Sequence, residues 1–134
     1  MGYELLIDKL QAMGESKNIL KDSSFRFAMT IIKHYKYLIE TKHEYVLSKQ
    51  LLRSGTAVGA MIREAQNAES KNDFIHKLAM EQKECDETMY WLELLNESNY
   101  LEIDEFTKTH DSASSLLKML RSAILTTKQR THNP

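Results

Sequence analysis

Proline occurs once, as Pro134, and glycine four times in 134 residues. Both residues punctuate turns and break helices, so their scarcity removes the usual marks of a loop-rich or strand-rich chain and predicts an all-helical one. The single cysteine, Cys85, excludes an intramolecular disulfide and any cysteine-rich metal site. No apolar run approaches the ~18 residues of a membrane span. The opening stretch MGYELLIDKL carries acids and no long apolar centre, so no secretory leader is expected. Met1-Gly2 begins like a myristoylation signal, but Leu6 stands where that motif wants Ser or Thr. A soluble cytoplasmic protein without membrane attachment is expected. A global basic field is also lacking, since net charge is −1.

What charge there is lies unevenly. From Glu81 to Glu105 there are nine acids against Lys83 alone, whereas Thr107 to Pro134 holds five bases against Asp111. Such asymmetry reads as solvated helix faces, as an assembly code or as a binding footprint.

The length suits one domain. Apolar residues at helical spacing predict four helices. Ser23-Ser24 caps the first, which carries Phe27, Ala28, Ile31, Tyr35, Leu38 and Ile39 to about Thr41. The second runs from about Tyr45 to Asn67, with Leu47, Leu51, Ser54, Val58, Ile62 and Ala65 inward. Ser70 followed by Asp73 resembles a capping box opening the third. That helix uses Phe74, Ile75, Leu78, Cys85, Met89, Leu92 and Leu95. The fourth uses Phe106, His110, Ala113, Leu117, Leu120 and Ile124, ending near Lys128. Short connections place neighbours antiparallel, giving an all-α, up-down-up-down four-helix bundle over residues 21–128. Residues 1–20 read as an N-terminal extension or short helix stopped at Gly14, and 129–134 as a loose tail.

The second helix holds Ser54, Gly55, Ala57, Gly59 and Ala60 within seven residues. On a helical wheel the glycines share one flank beside the apolar stripe. Each costs about 1 kcal/mol of helix propensity, which is best tolerated where another backbone approaches. That backbone belongs either to the same bundle or to another subunit. The second alternative makes Arg53, Gly55, Gly59, Arg63 and Glu64, with Trp91, the expected subunit interface.

The stretches FAMTIIKHYKYL, VLSKQLLRSGTAVGAMIREAQNAESKNDFIHKL and KECDETMYWLELL resemble a bacterial four-helix-bundle family. Its members include proteins encoded within intervening sequences of 23S ribosomal RNA genes. The resemblance covers about residues 18–125 and rests on Arg53-Ser54, Gly59-Ala60, Glu64-Ala65, Ser70, Asp73-Phe74 and Tyr90-Trp91-Leu92. Met61 departs from it, since the family usually has Asn after the Gly-Ala pair. The resemblance implies a homopentamer. It also implies kinship with the accessory protein of diversity-generating retroelements, which contacts a reverse transcriptase and nucleic acid.

Catalytic and metal chemistry finds little footing. Glu40-x-x-His43 and Asp73-x-x-His76 match a di-iron pattern loosely, but the first sits at a helix end and the second in a cap. Cys85 falls on an apolar stripe, where an inert thiol is expected. Gln82 and His110 fall on the stripes of their helices and need partners there. No catalytic residue, metal or cofactor is expected. The remaining signal is basic: Arg26, Lys33 and Lys36 on the first helix, Lys49, Arg53 and Arg63 on the second. These stripes could contact phosphates, with Tyr37 and Tyr45 as the nearby aromatics. The expected function is a non-enzymatic assembly or adaptor protein associated with RNA or a nucleic-acid enzyme. The alternative is direct, largely non-specific binding of RNA or DNA by the basic stripes.

Overall fold

A computed structural model describes Gly2–Arg130, with side chains from Asn18 onward. Four helices follow one another: α1 Gly2–Glu40, α2 Leu47–Gln66, α3 Lys71–Glu97 and α4 Ile103–Arg130. Each packs on its chain neighbours, and α1 also packs on α4. The result is the expected four-helix bundle.

The first helix departs from expectation at its start. It is continuous through Gly14 and through Ser23-Ser24, which cap nothing. Ser24 is buried and its Oγ donates to the Lys21 carbonyl at 3.0 Å, so the hydroxyl is satisfied within the helix itself. Among the described side chains of α1, Leu20, Ser24, Phe27, Ile31, His34 and Leu38 are buried. That stripe already begins four residues before Ser24. Leu6, Leu10 and Met13 lie where side chains are not described. At the other end, α4 runs through Gln129 and Arg130, and the rest of the expected tail lies outside the described residues.

Two caps shape the bundle ends. Glu44 accepts hydrogen bonds from the backbone N–H groups of Val46, Leu47 and Ser48 at 3.0, 2.9 and 2.6 Å. These are orphan donors of the α2 N-terminus, and a carboxylate there also meets the positive end of the helix dipole. Burial by itself would raise the Glu44 carboxyl pKa; the backbone donors outweigh it and hold the group below its ordinary value. At α3, Ser70 Oγ accepts from the Asp73 N–H at 3.0 Å. The Asp73 carboxylate reaches back to the Glu69 N–H at 3.1 Å, one residue before the usual capping-box target.

The glycines of α2 face α1 of the same chain. Gly55 is buried, and a Cβ there would lie 2.7 Å from Ile31 Cγ1. At Gly59 a Cβ would meet the Ser24 carbonyl oxygen at 3.5 Å, an ordinary contact. The close approach expected of a subunit contact is thus made inside the bundle at Gly55. The two glycines also separate in kind, since only Gly55 lacks room for a methyl.

Gly55→Ala should therefore lower the urea midpoint despite alanine's better helix propensity, because Ile31 must move. Gly59→Ala should leave it unchanged or raise stability by about 1 kcal/mol. Equal behaviour of the two variants would contradict this packing. Glu44→Ala should destabilise by about 1 kcal/mol at neutral pH. Its folded-state pKa is depressed, so that contribution should be present above the ordinary carboxylate range and fade as pH falls through the folded value.

Candidate functional site

The bundle interior is apolar except for a few polar groups. Ser54 of α2 and Thr88 of α3 are buried and hydrogen-bonded at 2.9 Å. Thr88 also approaches the Glu84 carbonyl at 2.7 Å. Above this pair, at the surface, Arg53 binds Glu84 at 3.2 Å and Glu87 at 2.6 Å. The hydrogen bond from Arg53 holds the Glu87 carboxyl below its ordinary pKa. Arg53 is therefore an intrachain strap between α2 and α3. Its charge already has two partners within the chain.

The buried polar positions were expected one residue away. Gln82 is only half-buried, whereas Glu81 has no exposed surface and neither carboxylate oxygen has a hydrogen-bond partner. Desolvation pushes its pKa up to about 9, so Glu81 is a neutral acid at pH 7. One turn on, Cys85 donates from Sγ to the Ala113 carbonyl at 3.2 Å, and burial raises the thiol to about 12. Such a thiol is a poor nucleophile. His110, likewise expected inside, is half-buried and lies 3.3 Å from Glu93. The buried histidine is His34, which the sequence reading passed over.

His34 Nε2 lies 2.7 Å from Thr109 Oγ1, and that oxygen lies 2.9 Å from the Glu105 carbonyl. A hydroxyl has one proton. Donating it to the carbonyl leaves the oxygen to accept from Nε2–H, and only this arrangement fills both contacts. Desolvation lowers the His34 pKa, with Lys33 adding to it and Glu105 opposing it, so the ring is neutral at pH 7. His34 and Thr109 sit at the floor of a groove of about 650 Å³ between α1 and α4.

The basic stripes do not form one surface. Arg26 and Arg63 converge, with Lys21, Asp22 and Phe25, on a second cleft of about 450 Å³. Lys33 instead lines the α1/α4 groove, while Lys36 and Lys49 are exposed. Among the described residues, Arg26, Lys33, Lys36, Lys49 and Arg63 make no ion pair. Tyr37 lines the groove and Tyr45 stands 3.2 Å from His43 through its hydroxyl, so neither joins the Arg26–Arg63 cleft. The aromatic there is Phe25, 55% exposed. Its signal was available: Phe25 adjoins Arg26 yet lies off the apolar stripe. Trp91 is half-buried against the core, its Nε1 donating to Glu87 at 3.3 Å beside the ring of Tyr90. Glu64 is exposed. Asp73 is engaged in its cap and with Lys77 at 3.5 Å, and no three His, Cys, Asp or Glu side chains converge among the described residues. No described helix is long and apolar enough to cross a membrane.

The raised Glu81 pKa has a definite sign. The folded state holds a proton that the unfolded chain releases above its ordinary value near 4.5, so stability should fall as pH rises from there to about 9. The depressed carboxyls, Glu44, Asp73 and Glu87, act below that window, while the lowered His34 opposes the decline up to its ordinary value of 6.5, so the Glu81 effect is read between 6.5 and about 9. Urea unfolding across the range should show the decline, and Glu81→Gln should flatten it. Glu81→Met should stabilise the protein by roughly 2–3 kcal/mol at pH 7. Identical slopes for wild type and Glu81→Gln would mean that water reaches the carboxyl.

Comparison with known proteins converges on one family. The family model described as 23S rRNA-intervening sequence protein matches residues 16–122. Among solved structures, a protein of unknown function from the S23 ribosomal protein family of Bacteroides thetaiotaomicron is 44% identical. The match covers 81% of this chain and 97% of that one, with a TM-score of 0.80. No curated protein matches. The shared bundle, and a match spanning most of α1 through α4, place this chain in the 23S rRNA-intervening sequence protein family.

Proposed function

We propose that this chain is a non-enzymatic, cytoplasmic adaptor that works as a homo-oligomer, five-membered as the family resemblance implies. One observation carries the reading: two outward faces of opposite character on the same molecule. On α1, Phe25 and Met29 are exposed, and Phe25 shares a cleft with Lys21, Arg26 and Arg63 of α2, three bases against Asp22. On α3, Met80 and Tyr90 are exposed on a helix whose exposed charges between them and beyond are Lys83 against Asp86, Glu93 and Glu97. Exposed apolar groups bordered by complementary charge suit a heterologous contact, in which one face meets the other face of the next copy and the ring closes. Gly55 has no part in that contact, being covered by Ile31. Arg53 stays with its own acids, whereas Arg63, Glu64 and Trp91 lie where they can take part.

Native mass spectrometry at micromolar concentration should report five chains. Phe25→Glu and Tyr90→Lys should each reduce the mass while helical circular dichroism persists. A wild-type monomer at every concentration, or assembly indifferent to both changes, would overturn the proposal.

The Arg26–Arg63 cleft favours a second reading, direct contact with single-stranded RNA or DNA. Three cations that make no ion pair among the described residues, set with one acid, Asp22, beside an exposed phenyl ring, combine phosphate attraction with a stacking surface. Binding should weaken steeply with salt. Arg26→Ala with Arg63→Ala should reduce the slope of log affinity against log salt by about two. An unchanged slope would remove this reading.

A further inference from the structure

We infer that the groove between α1 and α4 is a binding site for a small zwitterion of amino-acid size. The groove, about 650 Å³, lies within the range of small-molecule sites. Its lining includes charged groups of both signs. Lys33 and Lys108 supply ammonium groups, and Glu102 and Glu105 supply carboxylates. None of the four side chains makes an ion pair among the described residues. A purely anionic ligand would meet two carboxylates here, and a purely cationic one two ammonium groups. A ligand with one charge of each sign meets complementary groups at both ends.

The floor of the groove adds an independent sign. His34 is 94% buried, at 6% residual exposure, and only one of its ring nitrogens is used within the chain. Nε2–H is committed to Thr109, whose own proton goes to the Glu105 carbonyl. Nδ1 is left as an unpartnered acceptor. The fully covered, unpaired side-chain polar atoms among the described residues are the two Glu81 oxygens, so Nδ1 keeps an open edge, and His34 lines the groove. An acceptor with an open edge is free to take a donor from outside the chain. An N–H donor of a ligand ammonium fits a neutral imidazole nitrogen, with Glu105 supplying the countercharge and the lysines receiving the carboxylate.

The test uses the full chain and a defined panel: the free amino acids, short dipeptides, inorganic phosphate as the anion-only probe and putrescine as the cation-only probe. Chemical-shift perturbation of the groove residues is the readout, with calorimetry for affinity. One or more zwitterions should bind and shift Thr30, His34 and Ser112, while phosphate and putrescine do not. Lys33→Ala, Lys108→Ala and Glu105→Gln change exposed side chains and should leave the bundle folded. Each should weaken binding by about tenfold, the loss of one charged hydrogen bond. Amino acids binding while dipeptides fail would set the ligand's length. The inference fails if no zwitterion binds, if phosphate or putrescine binds as well as the best zwitterion, or if the three variants bind like wild type. The oligomer plays no part in these measurements, so the site and the assembly stand or fall separately.

Discussion

The contact between Ile31 and the backbone of α2 at Gly55 governs how this bundle is assembled. No side chain stands between them, so α1 can lie close against α2. That seating orients α1. Phe27, Ile31 and Leu38 turn inward, His34 turns toward α4, and Phe25 and Met29 remain outside. The groove thus opens between α1 and α4 and the basic cleft between α1 and α2, both placed by a packing choice made where neither is.

Polar interactions then fix what apolar packing leaves free. Hydrophobic contact is non-directional and tolerates sliding of one helix along another. The Ser54–Thr88 hydrogen bond, buried between α2 and α3, permits one register. Arg53, the residue before Ser54, grips Glu84 and Glu87, which lie one turn and one residue before Thr88. Exposed ion pairs of this kind contribute little to stability, about 0–1 kcal/mol. Their effect here is positional. They also remove charge of both signs from the surface, so the acidity of α3 is smaller than its composition suggests.

The fold was largely legible in the sequence, and the failures have identifiable causes. Period and break residues located α2, and Ser70 with Asp73 located the start of α3, because cap chemistry is local. Ser23-Ser24 misled for the same reason. A serine pair marks a helix start only if nothing upstream continues the apolar stripe, and Leu20 continues it. The interior polar residues were harder. Gln82 and Glu81 are adjacent, and a stripe read from apolar residues does not decide which of two neighbours turns inward. A carboxylate is the residue that solvation arguments place outside. Of the candidate sites, Arg26 and Arg63 could be grouped by charge, but their meeting with Phe25 depends on how α1 sits on α2. The partnership of His34 with Thr109 spans 75 positions and leaves no trace in local pattern.

Glu81 makes folding of this chain a chemical exchange with its solvent. In neutral solution the extended chain carries that side chain as a carboxylate, whereas the bundle encloses it as an acid. Forming the bundle therefore draws a proton from the buffer. The heat of folding measured in a calorimeter includes the ionisation heat of whichever buffer surrenders it. Unfolding enthalpies recorded in phosphate and in Tris will differ for that reason alone, with no change in any contact within the protein.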